Sequence, residues 1–123
     1  MATGRINLQC DVAVRDILCT AIRDYAHAAY PPGGSDCAQV ARYTLLELAQ
    51  QIEQGIREDN GSLLISRRPR AMLRAALEYY YDRLDEAQQG SSLHRRELMA
   101  GLLKEQAVSQ ADLQAAQAAD TTA

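Results

Sequence analysis

The chain has 123 residues, room for one domain, with 13 basic against 16 acidic side chains and a formal net charge of −3. Its composition, 47% hydrophobic and 24% charged, is typical of a globular protein and argues against disorder along the whole length. The acidic balance argues against non-specific nucleic-acid binding by the molecule as a whole. We expect a cytoplasmic protein, because no apolar run approaches the roughly 18 residues of a membrane span and the N-terminus lacks a signal peptide's apolar stretch.

Residues 5–59 predict a strand followed by two helices. Arg5–Cys10 alternates polar and apolar residues, the period of a half-buried strand. Asp11 is a suitable N-cap for the first helix, which ends at the Pro31–Gly34 turn. The second helix starts at Ser35 or Asp36. The first predicted apolar stripe is Val14, Ile17, Leu18, Ala21, Ile22 and Tyr25; the second is Cys37, Val40, Ala41, Leu45, Leu48, Ala49, Ile52 and Ile56.

Residues 61–108 predict the same order of elements again, after a turn at Asp59–Gly61. Ser62–Ser66 indicates a short strand, and a third helix begins near Pro69. The third apolar stripe is Met72, Leu73, Ala76, Leu77, Tyr80 and Leu84, and the fourth helix carries Leu93, Leu98, Leu102 and Leu103. The Ala/Gln-rich composition of the tail, residues 109–123, is typical of a frayed segment, whereas a capping-box pattern at Ser109 and Asp112 favours a fifth helix.

A shift of 55 residues aligns the two halves of the chain. It superimposes Leu8 on Leu63, Arg15 on Arg70, Leu18 on Leu73, Ala21 on Ala76 and Tyr25 on Tyr80. The sequence therefore predicts a mainly α fold: four to five helices, a minor two-stranded β element and a candidate β-α-α duplication, with units 5–59 and 61–108. We expect a single helical domain over residues 1–108, followed by the tail.

The sequence contains no recognisable catalytic, metal or cofactor motif. Its three cysteines form no Cys-x-x-Cys pair, and its two histidines, His27 and His94, have no metal-ligand spacing. We expect the cysteines to be small buried residues. The sequence predicts that the protein is not an enzyme and uses no cofactor or metal.

Two neighbouring features indicate a binding surface. Residues 61–77 contain no acid, and the stretch carries Arg67, Arg68, Arg70 and Arg74 at a predicted helix N-terminus, where the macrodipole disfavours cations. Such a cluster is suited to an acidic partner or an anion. Three consecutive tyrosines follow at 79–81. Because successive helical residues point about 100° apart, we expect Tyr80 in the core and Tyr79 or Tyr81 at least partly exposed.

An alternative comes from the first unit. Residues 5–59, a strand with outward Arg5, Asn7 and Gln9 followed by two helices, resemble the ribbon-helix-helix repressors. The resemblance implies a dimer that inserts such polar side chains into the DNA major groove. The N-terminus of the second helix, at Ser35 and Asp36, would then face phosphate, although a carboxylate there departs from what phosphate binding requires.

The leading hypothesis from the sequence is a non-catalytic, homodimeric binding protein that uses helix faces. Its protein-binding residues would be Arg67, Arg68, Arg70, Arg74, Tyr79 and Tyr81. The small size and composition suggest a phage or mobile-element protein that regulates or inhibits a host protein. The ribbon-helix-helix repressor is the alternative, with DNA as partner and Arg5, Asn7 and Gln9 as the reading residues.

Overall fold

A computed structural model describes residues 4–59 and 61–122. Its elements in chain order are β1 (Arg5–Cys10), α1 (Val12–Ala29), α2 (Asp36–Gly55), β2 (Gly61–Ser66), α3 (Arg70–Gln88), α4 (Leu93–Leu102) and α5 (Gln110–Thr122). The prediction of a mainly α fold with a two-stranded β element is confirmed. Asn60, in the middle of the predicted turn, and the tail residue Ala123 lie outside the described residues.

The two strands form an antiparallel ribbon that joins the two halves of the chain. Ile6 pairs with Ile65 and Leu8 with Leu63. On β1 the inward positions are buried and the outward ones are not, as the alternation predicted. The 55-residue shift superimposes Leu8 on Leu63, and these two residues lie opposite each other in the ribbon. The two units therefore contribute equivalent positions to the strand pairing, and the register is symmetric about this pair. The duplication itself stays a prediction.

Helix α1 is the centre of the core, with α2 packed on one side and α3 on the other. Its N-terminus is capped as predicted: the Oδ1 atom of Asp11 accepts a hydrogen bond from the Val14 amide at 3.0 Å. Helices α1 and α2 run antiparallel, since Arg15 donates to the Ile56 carbonyl at 2.7 Å. This arginine satisfies a carbonyl at the C-terminal end of α2 that has no partner within the helix.

The predicted apolar stripes are wrong at three positions. Cys37 and Val40 are exposed on α2, because none of the described residues covers them. Leu93, at the first residue of α4, is also exposed. Cys10 and Cys19 are buried, as expected, and Leu45, Leu48, Ala49 and Ile52 form the buried face of α2.

The C-terminal helix α5 is anchored at its N-terminus. Ser109 and Asp112 make a reciprocal capping box, with the Ser109 amide donating to Asp112 Oδ2 at 2.9 Å and the Asp112 amide donating to Ser109 Oγ at 3.2 Å. The Gln110 amide donates to Asp11 Oδ2 at 2.6 Å. One carboxylate, Asp11, therefore accepts hydrogen bonds from the first turns of both α1 and α5.

The far end of α5 is anchored by a buried carboxylate. Asp120 accepts hydrogen bonds from the amides of His94 at 2.7 Å and Arg95 at 3.3 Å, and so caps α4 from another helix. Its Oδ2 atom also accepts from Arg95 Nε at 2.7 Å. Burial opposes ionisation of Asp120, but the hydrogen bonds from Arg95 and His94 outweigh it and lower the pKa to about 2.

We predict that Asp120→Asn destabilises the fold by about 3 kcal/mol, because it leaves Arg95 and two amides without their charged acceptor. Urea unfolding at neutral pH measures the loss. Because the folded-state pKa lies below the ordinary value of 3.8, this stabilisation is complete above about pH 4 and disappears as the pH falls toward 2. The free energy of unfolding of Asp120→Asn should lack this decrease between about pH 4 and pH 2.

The matched control is Asp112→Asn, which changes an exposed carboxylate of the same helix and should cost about 1 kcal/mol or less. Equal losses for the two variants would show that Asp120 does not hold α5 against α4.

Candidate protein-interaction surface

The outer edge of β1 is covered by the segment between α4 and α5. The Val108 amide donates to the Gln9 carbonyl at 3.0 Å, and the Asn7 amide donates to Glu105 Oε1 at 2.9 Å. These two bonds occupy backbone groups that point away from β2. The covered edge cannot accept another strand along its C-terminal half.

The outer edge of β2 is open. Because Asn7 and Gln9 direct their backbone groups away from the ribbon, their partners in the register, Leu64 and Ser62, must do the same on the other side. Ser66 has the same orientation, since the Arg67 amide donates to the Gly4 carbonyl across the ribbon. Within the part of the chain that the structure describes, the backbone groups of these three β2 residues have no partner.

The outer face of the ribbon carries the polar side chains that the alternation predicted. Arg5 is exposed and Asn7 and Gln9 are half-buried. The facing residues of β2 are Ser62, Leu64 and Ser66, and Leu64 at the centre is 53% exposed. An exposed leucine in the middle of this face favours an apolar contact there.

A groove of about 580 Å³ lies between α2 and the C-terminal end of β2. Ser66, Arg68 and Pro69 line one wall, and Glu47, Gln51 and Gln54 belong to the other. Arg67 and Arg68 are exposed at the end of the strand, and Arg68 of the predicted basic cluster lines this groove.

Helix α2 presents two large exposed side chains next to the groove. Val40 is 64% and Tyr43 is 67% exposed, and both lie within one turn of Thr44, which lines the groove. Sequence analysis placed Val40 in the core and did not single out Tyr43. They are exposed because no element among the described residues packs over them. We call the combined area, Val40, Tyr43, Glu47, Leu64, Arg67 and Arg68, the α2–β2 face.

The predicted basic and tyrosine residues do not form one surface. Arg74 lies in a cleft between α3 and α4 beside Glu78, whereas Arg70 is half-buried. Tyr79 points to another side of α3, where its ring lies 5.9 Å from the ring of Tyr25 on α1. None of the four arginines of the cluster makes an ion pair with the described residues.

The assignment of Tyr81 to a binding surface is wrong. Tyr81 is 1% exposed, and its burial raises the pKa of the phenol to about 12. Tyr80, expected in the core, is half-buried instead, and the two rings meet edge to face at 5.0 Å. Tyr81 borders a cavity lined also by Arg95 and by Leu113 of α5, so the tail helps to enclose it. The periodicity of α3 alone carries no information about its contacts with α5, so it could not predict the burial of Tyr81.

Cys10, Cys19 and His94 occupy structural positions. Burial raises the pKa of Cys10 to about 12 and that of Cys19 to about 11, which keeps both thiols protonated. His94 Nδ1 lies 2.9 Å from Asp120 Oδ1, but both oxygens of that carboxylate are used in capping α4. Among the described residues, no hydroxyl or thiol hydrogen-bonds to His94 to complete a nucleophilic triad.

Over the described ranges 4–59 and 61–122, no three His, Cys, Asp or Glu side chains cluster as metal ligands. In the same residues, no helix is both long and apolar enough to cross a bilayer. No protein-family model matches the sequence, and neither a characterised protein nor a solved structure is detectably similar to it.

We predict that Tyr81→Ala lowers the free energy of unfolding by about 3 to 5 kcal/mol, the cost of removing a buried aromatic ring. Tyr79→Ala, at a half-buried position, should cost about 1 kcal/mol through the lost contacts with Tyr25 and Arg83. Chemical denaturation of the two variants measures the difference. Similar small losses for both would contradict the burial of Tyr81.

Proposed function

We propose that the chain is a non-catalytic protein-binding module that contacts its partner through the α2–β2 face. The contrast between the two ribbon edges carries this proposal. The edge of β1 is covered by Val108 and Glu105, whereas none of the described residues pairs with the edge of β2. The strand β2 itself has no charged residue to repel another strand. Open uncharged edges pair readily with other chains, so proteins normally protect them unless they are used.

The side chains around this edge support protein recognition. Tyrosine and arginine are enriched at protein interfaces, and Tyr43, Arg67 and Arg68 are exposed here. Val40 on α2 and Leu64 on β2 add exposed apolar side chains. An exposed guanidinium without an intramolecular partner can pair with a partner's carboxylate without first breaking an ion pair.

The more specific interpretation remains a proposal. In it, the protein is a cytoplasmic phage or mobile-element regulator that binds and inhibits a host protein. It is supported by the small size of the chain and by the surface described above, with Arg67 and Arg68 as the only members of the predicted basic cluster on that surface.

We predict that the combined variant Tyr43→Ala, Arg68→Glu loses partner binding, because it removes an aromatic contact and reverses a charge on the α2–β2 face. The measurement is capture of proteins from a bacterial lysate on the immobilised chain after nuclease treatment. We expect the variant to retain at least about tenfold less lysate protein than the unmodified chain, which corresponds to 1.4 kcal/mol of binding free energy.

The matched control changes the same residue types elsewhere: Tyr79→Ala together with Arg74→Glu, on other sides of α3. It should capture as much protein as the unmodified chain. Capture that the control abolishes and the α2–β2 variant preserves would place the binding surface elsewhere.

A second candidate function is sequence-specific DNA binding of the ribbon-helix-helix type. The symmetric register around Leu8 and Leu63 favours it, because a ribbon-helix-helix dimer pairs two such strands antiparallel. In this chain the two strands would belong to one molecule. Arg5, Asn7 and Gln9 would then read base edges from the outer face. Two features count against it. The apolar side chain of Leu64 lies at the centre of that face. Asp120 places a carboxylate at the N-terminus of α4, the second helix of the second unit, which would have to face phosphate.

If DNA is the ligand, Asn7→Ala with Gln9→Ala should weaken binding to a selected operator by about 2 to 6 kcal/mol, the value of two base contacts. Fluorescence anisotropy on DNA enriched from a random-sequence pool measures this. Binding should also weaken as salt increases. Unchanged affinity in the double variant would eliminate this candidate.

A further inference from the structure

We infer that the open edge of β2 pairs with the same edge of a second copy of this chain. The two ribbons then form one four-stranded antiparallel sheet, in the order β1, β2, β2 and β1. The inference rests on the proposed function, because it names the occupant of the α2–β2 face. Three properties of β2 support it: the register that its backbone groups allow, the faces to which its side chains point, and the charges at its two ends.

The register is determined by the orientation of the backbone groups. Ser62, Leu64 and Ser66 direct their amides and carbonyls outward, so a second strand must pair with these residues. A two-fold axis at Leu64 pairs Leu64 with Leu64 of the second copy and Ser62 with its Ser66. This is the only antiparallel arrangement of two β2 strands that uses all three outward residues on both copies.

The same register keeps both sides of the sheet chemically consistent. Leu63 of one copy lies opposite Ile65 of the other, and both side chains point to the inner face. Leu63 is only half-buried in the single chain, whereas Ile65 is fully buried. Pairing therefore covers the more exposed of the two inward residues. On the outer face, the two Leu64 side chains contact each other as a cross-strand pair.

The charges at the two ends of β2 are complementary under this symmetry. Exposed Glu58 and Asp59 precede the strand, and exposed Arg67 and Arg68 follow it. Within one chain, a six-residue strand about 20 Å long separates the two groups. In the pair, Arg67 lies opposite Gly61 of the second copy, which brings the two arginines to that copy's acidic turn. The same contact occurs twice, as in any isologous interface.

The exposed side of α2 lies on the same flank of the molecule as the open edge. Thr44, Glu47 and Gln51 of this helix line the groove that Ser66 borders at the C-terminal end of that edge. In the symmetric pair, the two α2 helices lie on the same side of the joined strands.

The first test is the mass of the full-length chain in solution, measured by light scattering after size-exclusion chromatography. We expect twice the 13.5 kDa of one chain. Leu64→Pro should give a single chain, because proline removes an outward amide that β1 does not use. Leu64→Thr keeps that amide and should still dimerise. Circular dichroism of each variant verifies that the fold is retained.

The second test exchanges charges between the two ends of β2. One chain carries Arg67→Glu and Arg68→Glu, and the other carries Glu58→Arg and Asp59→Arg. Each alone places like charges against each other at both ends of the interface, so self-association should weaken by about tenfold or more. Mixed together, they restore opposite charges at both ends and should form a heterodimer. The exchanged charges face each other only across the interface between two chains. A folding defect in either variant therefore cannot produce association of the mixture.

The inference is overturned if the unmodified chain is monomeric, if Leu64→Pro dimerises as well as Leu64→Thr, or if the two charge variants fail to associate when mixed. A monomeric chain whose capture of other proteins still depends on Tyr43 and Arg68 would overturn self-pairing and leave the proposed function standing. A monomeric chain that captures nothing through this face would overturn both.

Discussion

The pairing of β1 with β2 is the contact on which the rest of the architecture depends. A two-stranded ribbon is not stable in water by itself, so its inward side chains must be covered by helices. Ile6, Leu8 and Ile65 provide that inward face and are buried in the common core with α1. Because the strands lie more than 50 residues apart in the chain, their pairing also fixes the position of one β-α-α unit relative to the other.

Two carboxylates fix the C-terminal segment to this framework. Asp11 joins the first turns of α1 and α5, and Asp120 joins the end of α5 to the start of α4. Between them, Leu113 is the one apolar residue that α5 buries among the described residues. Directed hydrogen bonds to helix termini therefore position an Ala/Gln-rich helix that has little apolar surface with which to dock. The same segment covers the edge of β1, whereas none of the described residues covers the edge of β2.

Much of the fold could be predicted from local patterns. The alternation over Arg5–Cys10, the cap at Asp11, the proline–glycine turn and the capping box at Ser109 and Asp112 each depend on neighbours within a few residues. The candidate surface was harder to predict. Arg67 and Arg68 were identified by their charge, but Tyr43 and the open backbone of β2 depend on which elements fail to pack nearby. Tyr81 was misplaced for the converse reason, since α5 helps to cover a side of α3 that the stripe treated as outward.

The sequence by itself determined the order and type of the elements, because hydrophobic periodicity, helix caps and turn residues act over short distances. It also determined the net acidity, the predominance of arginine among the basic residues, and an aromatic content made up of tyrosine alone. Only the tertiary structure decided which strand edge is covered, which end of α2 is exposed and which tyrosine is buried. These depend on contacts between residues far apart in the chain, and no local pattern contains the geometry of such contacts.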